Sequence, residues 1–299
     1  MSGQSVITTR VGQFRDIHRA LKRKPALFAA TPIVFCEGDS WFSTPLAMNL
    51  VDWLVFPSPQ DEARGVPVFG AGGLFLRREH SGDLATDMFT GAKVRGLARW
   101  YEGFEFDIAL LSAGGNDFTG AFLARTFARE SRMGVSQAFD IVVATGRYEQ
   151  VLAAYRRVVA AFVAARPRTP ILAHTYDYPI ALGRAGALGV AGVGAIALLT
   201  REVGPWIAPH VAHVLPSLAD QRAFARRIID GFEQRVLRVL RDEPASRGLF
   251  DYVDLRGTLA SEEQWFDELH PTSSGFHLLA AKLRDAVLER LPPAKRRMP

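Results

Sequence analysis

The sequence predicts an α/β fold in which a central parallel sheet lies between two layers of helices, a three-layer α/β/α sandwich. Short apolar runs, typical of strands buried on both faces, alternate with longer segments whose apolar residues recur at helical spacing. Polar strings that contain Gly, Ser, Asn, Asp or His lie shortly after several of these runs. Ligands bind beyond the carboxyl ends of the strands in such sheets, so these strings are the candidates for a functional site.

Five apolar runs are the predicted strands. Those at 33–36 and 108–113 are the most continuous, and each is followed by a turn that contains glycine. A third run, at 171–175, opens after a proline, and a fourth lies at 250–255. The run at 66–69 contains a proline, which has no N–H to donate, so this strand is expected at a sheet edge or to start there.

Three segments have the apolar spacing of amphipathic helices. Apolar and aromatic residues recur every three or four positions over 148–163, 225–240 and 276–291. Consecutive prolines at 292–293 are expected to end the third helix. A Thr or Ser at 272–274 is expected to cap its start.

The domain proper is expected to span residues 31–299. The preceding residues 1–30 carry a cluster of basic side chains between positions 15 and 24 and predict a basic helical extension. Within the domain, the Gly- and Ala-rich stretch near 183–205 predicts an insertion over the edge of the sheet. We expect this insertion to act as a mobile flap near the strand ends.

Composition narrows the class of protein and its partners. A chain of 299 residues, 48% of them hydrophobic, can bury a large α/β core, and its single cysteine, Cys36, excludes an intramolecular disulfide. The net charge of +5 is modest, and basic residues do not alternate with aromatic ones, so no nucleic-acid partner is expected.

No membrane span or secretory signal is evident. The longest weakly polar run, 185–200, is shorter than the roughly 20 residues of a spanning helix, and the N-terminus lacks a charged region followed by an apolar one. We therefore expect a cytoplasmic protein without an integral membrane span, unless another export route or a removed leader is involved. The sequence leaves the oligomeric state open.

A Gly-Asp-Ser string at 38–40 follows the first buried run. The glycine permits a sharp turn, so Ser40 can present its hydroxyl at the end of the sheet as a nucleophile. The alternative is that Ser40 only caps a following helix.

An Asp-x-x-His-Pro string at 267–271 supplies the groups that activate a serine. His270 would be the general base, and Asp267, three residues earlier in a turn, can reach its Nδ1 and set its tautomer. The proline disfavours helix at His270, so the turn is expected to end there. The alternative is a solvated loop that caps the last helix.

Two further strings offer donors for an oxyanion. Asn116 follows two glycines after the run at 108–113 and supplies an amide, while Asp117 is expected to organise the turn. Gly82 lies in a His-Ser-Gly-Asp string that is expected to open a helix, and its backbone N–H would be a second donor. The alternatives are a plain Gly-Asn turn and a plain helix cap.

Taken in order, these four strings resemble the sequence blocks of the SGNH (GDSL-type) serine hydrolase family and spread over 36–275. The resemblance assigns the triad to Ser40, Asp267 and His270, and the oxyanion donors to Ser40, Gly82 and Asn116. It implies a flavodoxin-like α/β/α fold and hydrolysis of esters or thioesters through an acyl-enzyme, with no metal or organic cofactor.

Three aromatic residues are candidate substrate contacts. Trp41 stands where many members of the family have Leu, and Tyr176 and Trp206 lie in loops that also resemble its bacterial members. Core or loop packing is the alternative for each. The apolar stretch at 183–205 and the aromatic residues Trp41, Phe42 and Trp206 favour a lipid or aryl ester, while a small acyl ester or a glycan acetyl ester stays open.

Other functions fit these residues less well. A metallophosphoesterase motif would need Asp at position 42 and His after Asn116, where the sequence has Phe42 and Asp117. The remaining histidines form no recognised set of metal ligands. An acyltransferase that uses the same acyl-enzyme and a non-catalytic binding module with the same fold stay open as alternatives.

Overall fold

A sheet of six parallel strands forms the centre of the computed structural model, which describes residues 5–44, 47–57, 69, 72–186 and 204–296. The strands are β1 (Val6–Thr8), β2 (Ile33–Gly38), β3 (Leu74–Arg77), β4 (Ile108–Ser112), β5 (Ile171–His174) and β6 (Phe250–Val253). Their order across the sheet is β1-β3-β2-β4-β5-β6. Without β1, this is the flavodoxin-like order, as the resemblance implies.

The connections between the strands are mostly helical. The α-helices are α1 (Val11–Lys22), α2 (Pro25–Ala30), α3 (Ser40–Ser43), α4 (Leu50–Val55), α5 (Ala85–Met88), α6 (Gly91–Glu102), α7 (Ala121–Phe127), α8 (Val135–Ala144), α9 (Arg147–Ala165), α10 (Ala208–Val211), α11 (Leu218–Phe232), α12 (Arg238–Asp242), α13 (Ser273–Arg290) and α14 (Pro293–Arg296). A π-helical turn at Glu233–Leu237 joins α11 to α12, and short 3₁₀ turns lie at Asn116–Phe118, Pro244–Ser246 and Glu262–Gln264. Among the described helices, none is both long enough and apolar enough to cross a membrane.

Two groups of helices cover the sheet. Helix α4 packs on α13, whereas α6, α9 and the π-helical turn pack beside one another. The strands between them are largely buried, and every residue of β2 and β4 is buried. The predicted three-layer α/β/α sandwich is thus confirmed.

The switch point of the sheet lies between β2 and β4. From β2 the chain passes to β3 on one side and then crosses back to β4 on the other. The carboxyl ends of β2 and β4 approach closely because Gly38 lacks a side chain: a Cβ there would lie 2.7 Å from atoms of Ser112. A crevice at such a point is where ligands bind in open parallel sheets.

Most of the predicted strands and all three predicted helices are present. The runs at 33–36, 108–113, 171–175 and 250–255 correspond to β2, β4, β5 and β6. The long helices are α9, α11 with its continuation, and α13, and Thr272 provides the expected cap by accepting a hydrogen bond from the N–H of Gly275.

Two strands on one side of the sheet, β1 and β3, were not predicted. Positions 66–68 of the expected weak strand, like 187–203 of the expected insertion, lie outside the described residues, and the strand observed in that region is β3. The segment expected as a helical extension, 1–30, contains α1 and α2, but it also adds β1 to β3. Phe14 of α1 is buried against other aromatic rings, so this segment shares the core of the domain.

Candidate active site

Ser40 begins α3, directly beyond the end of β2. The preceding Asp39 caps this helix by accepting a hydrogen bond from the N–H of Trp41 at 3.0 Å. The hydroxyl of Ser40 lies 2.8 Å from Nε2 of His270, across 230 residues of sequence. A nucleophile and a base are therefore within hydrogen-bonding distance, as acyl transfer requires.

The Asp267 carboxylate orients the imidazole of His270. Its oxygens lie 2.9 and 3.0 Å from Nδ1, and Oδ1 also accepts the backbone N–H groups of Leu269 and His270 at 2.8 and 2.7 Å. Asp267 is fully buried, so water does not compete for these bonds. With Nδ1–H donating to the carboxylate, Nε2 is left to accept the proton of Ser40.

Asp39 is a second buried carboxylate beside the nucleophile. It accepts hydrogen bonds from the Ser112 hydroxyl at 2.8 Å and from the hydroxyl of Tyr176. Burial raises the pKa of Asp39 to about 6, although these hydrogen bonds act in the opposite direction. Asp39 thus fixes the turn that presents Ser40, a role that the Gly-Asp-Ser string contained but that sequence reasoning did not assign.

The candidate oxyanion donors lie on neighbouring loops. The Asn116 side-chain amide donates to the carbonyl of Asp83 at 3.0 Å, which links it to the loop of Gly82. Gly82 lies in an exposed turn, and the helix it was expected to open, α5, begins only at Ala85. Within the described part of the chain, no group accepts the backbone N–H of Ser40 or of Gly82, so both can donate to a ligand.

Asp117 anchors α5 to the end of β4. Its carboxylate accepts the N–H of Ala85 and the hydroxyl of Thr86, each at 2.7 Å. This contact reaches beyond the turn that Asp117 was expected to organise, because it also places the loop that carries Gly82. Through these hydrogen bonds, Asn116 and Asp117 hold the loop of Gly82 in position relative to the amide of Asn116.

The glycines before Asn116 accommodate aromatic rings of the protein. A Cβ at Gly114 would lie 2.6 Å from the ring of Phe232, and one at Gly115 would lie 2.8 Å from the ring of Tyr176. In the structure, these glycines let two buried side chains pack against the strand end, and Gly115 also lines the pocket.

The three aromatic candidates differ in their positions. Trp41 is 3% exposed, stacks on His174 at 5.6 Å and donates its indole N–H to the carbonyl of Leu269 at 3.1 Å. Tyr176 packs edge-on against Trp41. The indole of Trp206 meets the imidazole of His270 edge-on, at 5.4 Å. All three therefore lie at the site, but Trp41 and Tyr176 are largely built into the core.

An apolar pocket opens beside Ser40 and Asn116. Trp41 and Tyr176 contribute to its wall. Apolar side chains that sequence reasoning did not assign to the site also line the pocket, among them Phe118, Ile207, Ala225, Ile228 and Ile229. Helical spacing assigned the last three to one apolar face of α11, and that face borders the pocket.

The described side chains do not form a metal centre. Within those residues, no group of three His, Cys, Asp or Glu side chains converges as metal ligands. His213, one of the histidines outside the triad, bonds the carbonyl of Phe127 through Nε2 at 2.9 Å.

Among the comparisons with known proteins, only the one with solved structures finds similar proteins, and it supports the fold. No protein-family model matches the sequence, and no curated protein matches it. An extracellular lipase from Streptomyces rimosus aligns over 85% of this chain and 99% of its own, at 15% identity and a TM-score of 0.51. A lipase from a goat rumen metagenome aligns over 85% of this chain and 97% of its own, at 13% identity and a TM-score of 0.49. The chain thus shares the three-layer α/β/α fold of the Streptomyces rimosus lipase.

Proposed function

We propose that the protein hydrolyses carboxylic esters through a covalent acyl-enzyme on Ser40. The observation that carries this proposal is the hydrogen-bonded series from Ser40 through His270 to the buried Asp267, with distances of 2.8 and 2.9 Å. This is the arrangement of a catalytic triad, which is recognised by its geometry rather than by its fold. The solved structure of similar fold, the Streptomyces rimosus lipase, supports ester hydrolysis.

The reaction follows from the positions of the groups. Ser40 Oγ attacks the ester carbonyl while His270 Nε2 takes its proton, and Asp267 stabilises the imidazolium that forms. The N–H groups of Ser40 and Gly82 and the amide of Asn116 donate to the oxyanion. His270 then protonates the leaving alcohol, and water releases the acyl group in a second cycle of the same steps.

The pocket favours an apolar acyl group. Its wall carries aliphatic side chains from α11 and an aromatic ring from the turn after β4, and such surfaces bind a hydrocarbon chain by removing both from water. We therefore propose a small-molecule or lipid ester as the substrate, with the acyl chain against Ile228 and Phe118. Transfer of the acyl group to an alcohol instead of water uses the same intermediate and is the second candidate.

A chromogenic ester series tests the proposal. Ser40→Ala is expected to lower kcat by about 10⁴–10⁶-fold, the range seen when a triad serine is removed. The wild-type protein is expected to react with a fluorophosphonate, and the variant is not. If the folded variant kept the wild-type rate, Ser40 would not be the nucleophile. Added alcohol distinguishes the candidates, since an acyltransferase would yield a new ester.

A further inference from the structure

A third buried carboxylate lies inside the loop that carries the candidate base. Glu268 follows Asp267 and precedes Leu269, and it is fully buried. Its two oxygens accept hydrogen bonds from four backbone N–H groups, those of Gly183, Trp206, Ile207 and Ala208. Hydrogen bonds to a charged acceptor are stronger than those between neutral groups, so Glu268 holds these segments firmly.

The donors belong to two segments that are distant in sequence. Oε1 accepts from Gly183 at 3.0 Å and from Ala208 at 2.9 Å, and Oε2 accepts from Ile207 at 2.6 Å. The backbone adds to this connection, because the N–H of Glu268 donates to the carbonyl of Arg184 at 3.0 Å. One residue of the catalytic loop therefore binds both segments.

Glu268 also holds the two residues of these segments that lie next to the site, Trp206 and Ile207. Trp206 places its indole against the imidazole of His270, and Ile207 is buried and lines the apolar pocket. Their backbone N–H groups share one oxygen of Glu268. The distance between the pocket wall and the base is thus set through a side chain that touches neither the nucleophile nor the pocket.

We infer that Glu268 is a positioning residue that fixes the acyl pocket relative to His270 and thereby sets acyl-chain selectivity. This inference rests on the proposed function, since it concerns the same pocket and base. Without the carboxylate, Ile207 would move relative to Ser40. A short acyl group makes few contacts with this wall, whereas a longer one loses binding energy that is needed in the transition state.

The first test measures the connection itself, independently of activity. In Glu268→Gln, the amide keeps one acceptor oxygen but turns an NH₂ group toward N–H donors, so at least two bonds are lost. We expect hydrogen exchange, followed by mass spectrometry on the whole chain, to quicken in peptides that cover 183 and 206–208. Unchanged exchange at both places would overturn the inference.

The second test separates positioning from simple destabilisation. For Glu268→Gln, we expect kcat/KM for p-nitrophenyl hexanoate to fall about tenfold more than kcat/KM for the acetate. The matched control is Asp107→Asn, a half-buried carboxylate that accepts the N–H of Ile33 at 2.7 Å, at the amino ends of β2 and β4 and away from the site. That variant is expected to lower stability without changing the ratio of the two rates.

Two outcomes separate this inference from the proposed function. An equal loss on hexanoate and acetate in Glu268→Gln would overturn the inference and leave the ester hydrolase in place, provided that Ser40→Ala is inactive. If instead Ser40→Ala retained its rate, the proposed function would fail, and the exchange experiment would still decide whether Glu268 holds the two segments.

Discussion

At the scale of the residue, the site is defined by which hydrogen-bonding groups are already used. The carboxylate oxygens of Asp267 accept hydrogen bonds from the imidazole and from two backbone N–H groups. Asp267 therefore orients His270 and is itself held in place. Asn116 uses one amide hydrogen on the carbonyl of Asp83 and has a second to offer. A preorganised donor of this kind acts most strongly where charge develops in the transition state.

Asn116→Ala is therefore expected to lower kcat about 10²–10³-fold, the loss found when one oxyanion donor is removed. KM is expected to change little, because the carbonyl oxygen of the bound ester accepts only a weak hydrogen bond from that amide. The steady-state parameters on one chromogenic ester check this.

A control for Asn116→Ala lies on the neighbouring loop. Thr86→Val removes a hydroxyl that donates to Asp117 at 2.7 Å, which loosens α5 but leaves the amide of Asn116 intact. We expect a much smaller loss of kcat in this variant. An unchanged kcat with a raised KM in Asn116→Ala would show that Asn116 positions the substrate and does not stabilise the oxyanion.

At the scale of the element, the site exists because the ends of β2 and β4 approach closely and aromatic rings pack under the turns that follow them. The turn after β4 is the tightest example: Gly114 has φ +111° and lies under the ring of Phe232, at the end of α11. Both the backbone conformation and the ring exclude a side chain. The helix that borders the pocket is thereby held against the strand that carries Asn116.

Gly114→Ala is expected to lower the free energy of unfolding by about 3 kcal/mol, from left-handed backbone strain plus overpacking against Phe232. Gly146→Ala is the matched control, because Gly146 has φ +72° but a Cβ there would lie 3.9 Å from Oε2 of Glu149, an ordinary van der Waals contact. Gly146→Ala is therefore expected to lower the free energy of unfolding by about 1 kcal/mol, from backbone strain without overpacking. Equal losses in urea unfolding of the two variants would contradict the packing argument.

At the scale of the whole molecule, stability depends on titratable groups buried under the nucleophile. His174 stacks on the ring of Trp41 and packs at a tilt against the ring of Phe42, and burial lowers its pKa to about 4. Its Nδ1 bonds the carbonyl of Thr175 at 2.9 Å, and Nε2 has no hydrogen-bond partner among the described residues. Protonation would therefore create a buried, unpaired donor.

The sign of the pH effect follows from these pKa values. The unfolded chain protonates His174 near pH 6.5 and the folded protein only near 4, so this group's contribution to stability is complete above 6.5 and is lost as the pH falls toward 4. Asp39 acts in the opposite direction, because its folded pKa of about 6 exceeds its unfolded value of 3.8. The two effects overlap, so only a variant of one group separates them.

His174→Phe is expected to remove the loss of stability on acidification. Relative to the wild-type protein, its free energy of unfolding should rise by about 3 kcal/mol between pH 6.5 and 4, measured by urea unfolding at each pH. His174→Gln, which is polar but does not titrate, should show the same change with pH. Parallel curves for the wild-type protein and both variants would exclude His174 as the cause.

The sequence determined much of the fold because its signals are local. Continuous apolar runs fix β2, β4, β5 and β6, and helical spacing fixes the long helices, since each pattern reflects burial of a single element. Strand β1 was missed because it has only three residues, in a segment predicted as a helical extension, and β3 was missed because it follows the glycine-rich stretch after the weak strand expected at 66–69. The pairing of Asp267 with His270 could be predicted for the same reason, because the two residues are three apart and lie within one turn.

What the tertiary structure decided are the contacts that join distant segments. The sequence indicated Ser40 and His270 as candidates, but their hydrogen bond exists only because β2 and the loop before α13 meet at one edge of the sheet. Likewise, helical spacing indicated an apolar face on α11, but nothing local indicated that this face lines the pocket. The four N–H groups around Glu268 have no local sequence signature either. Side-chain chemistry is carried by the sequence, whereas proximity between residues far apart in the chain arises from packing of the whole domain.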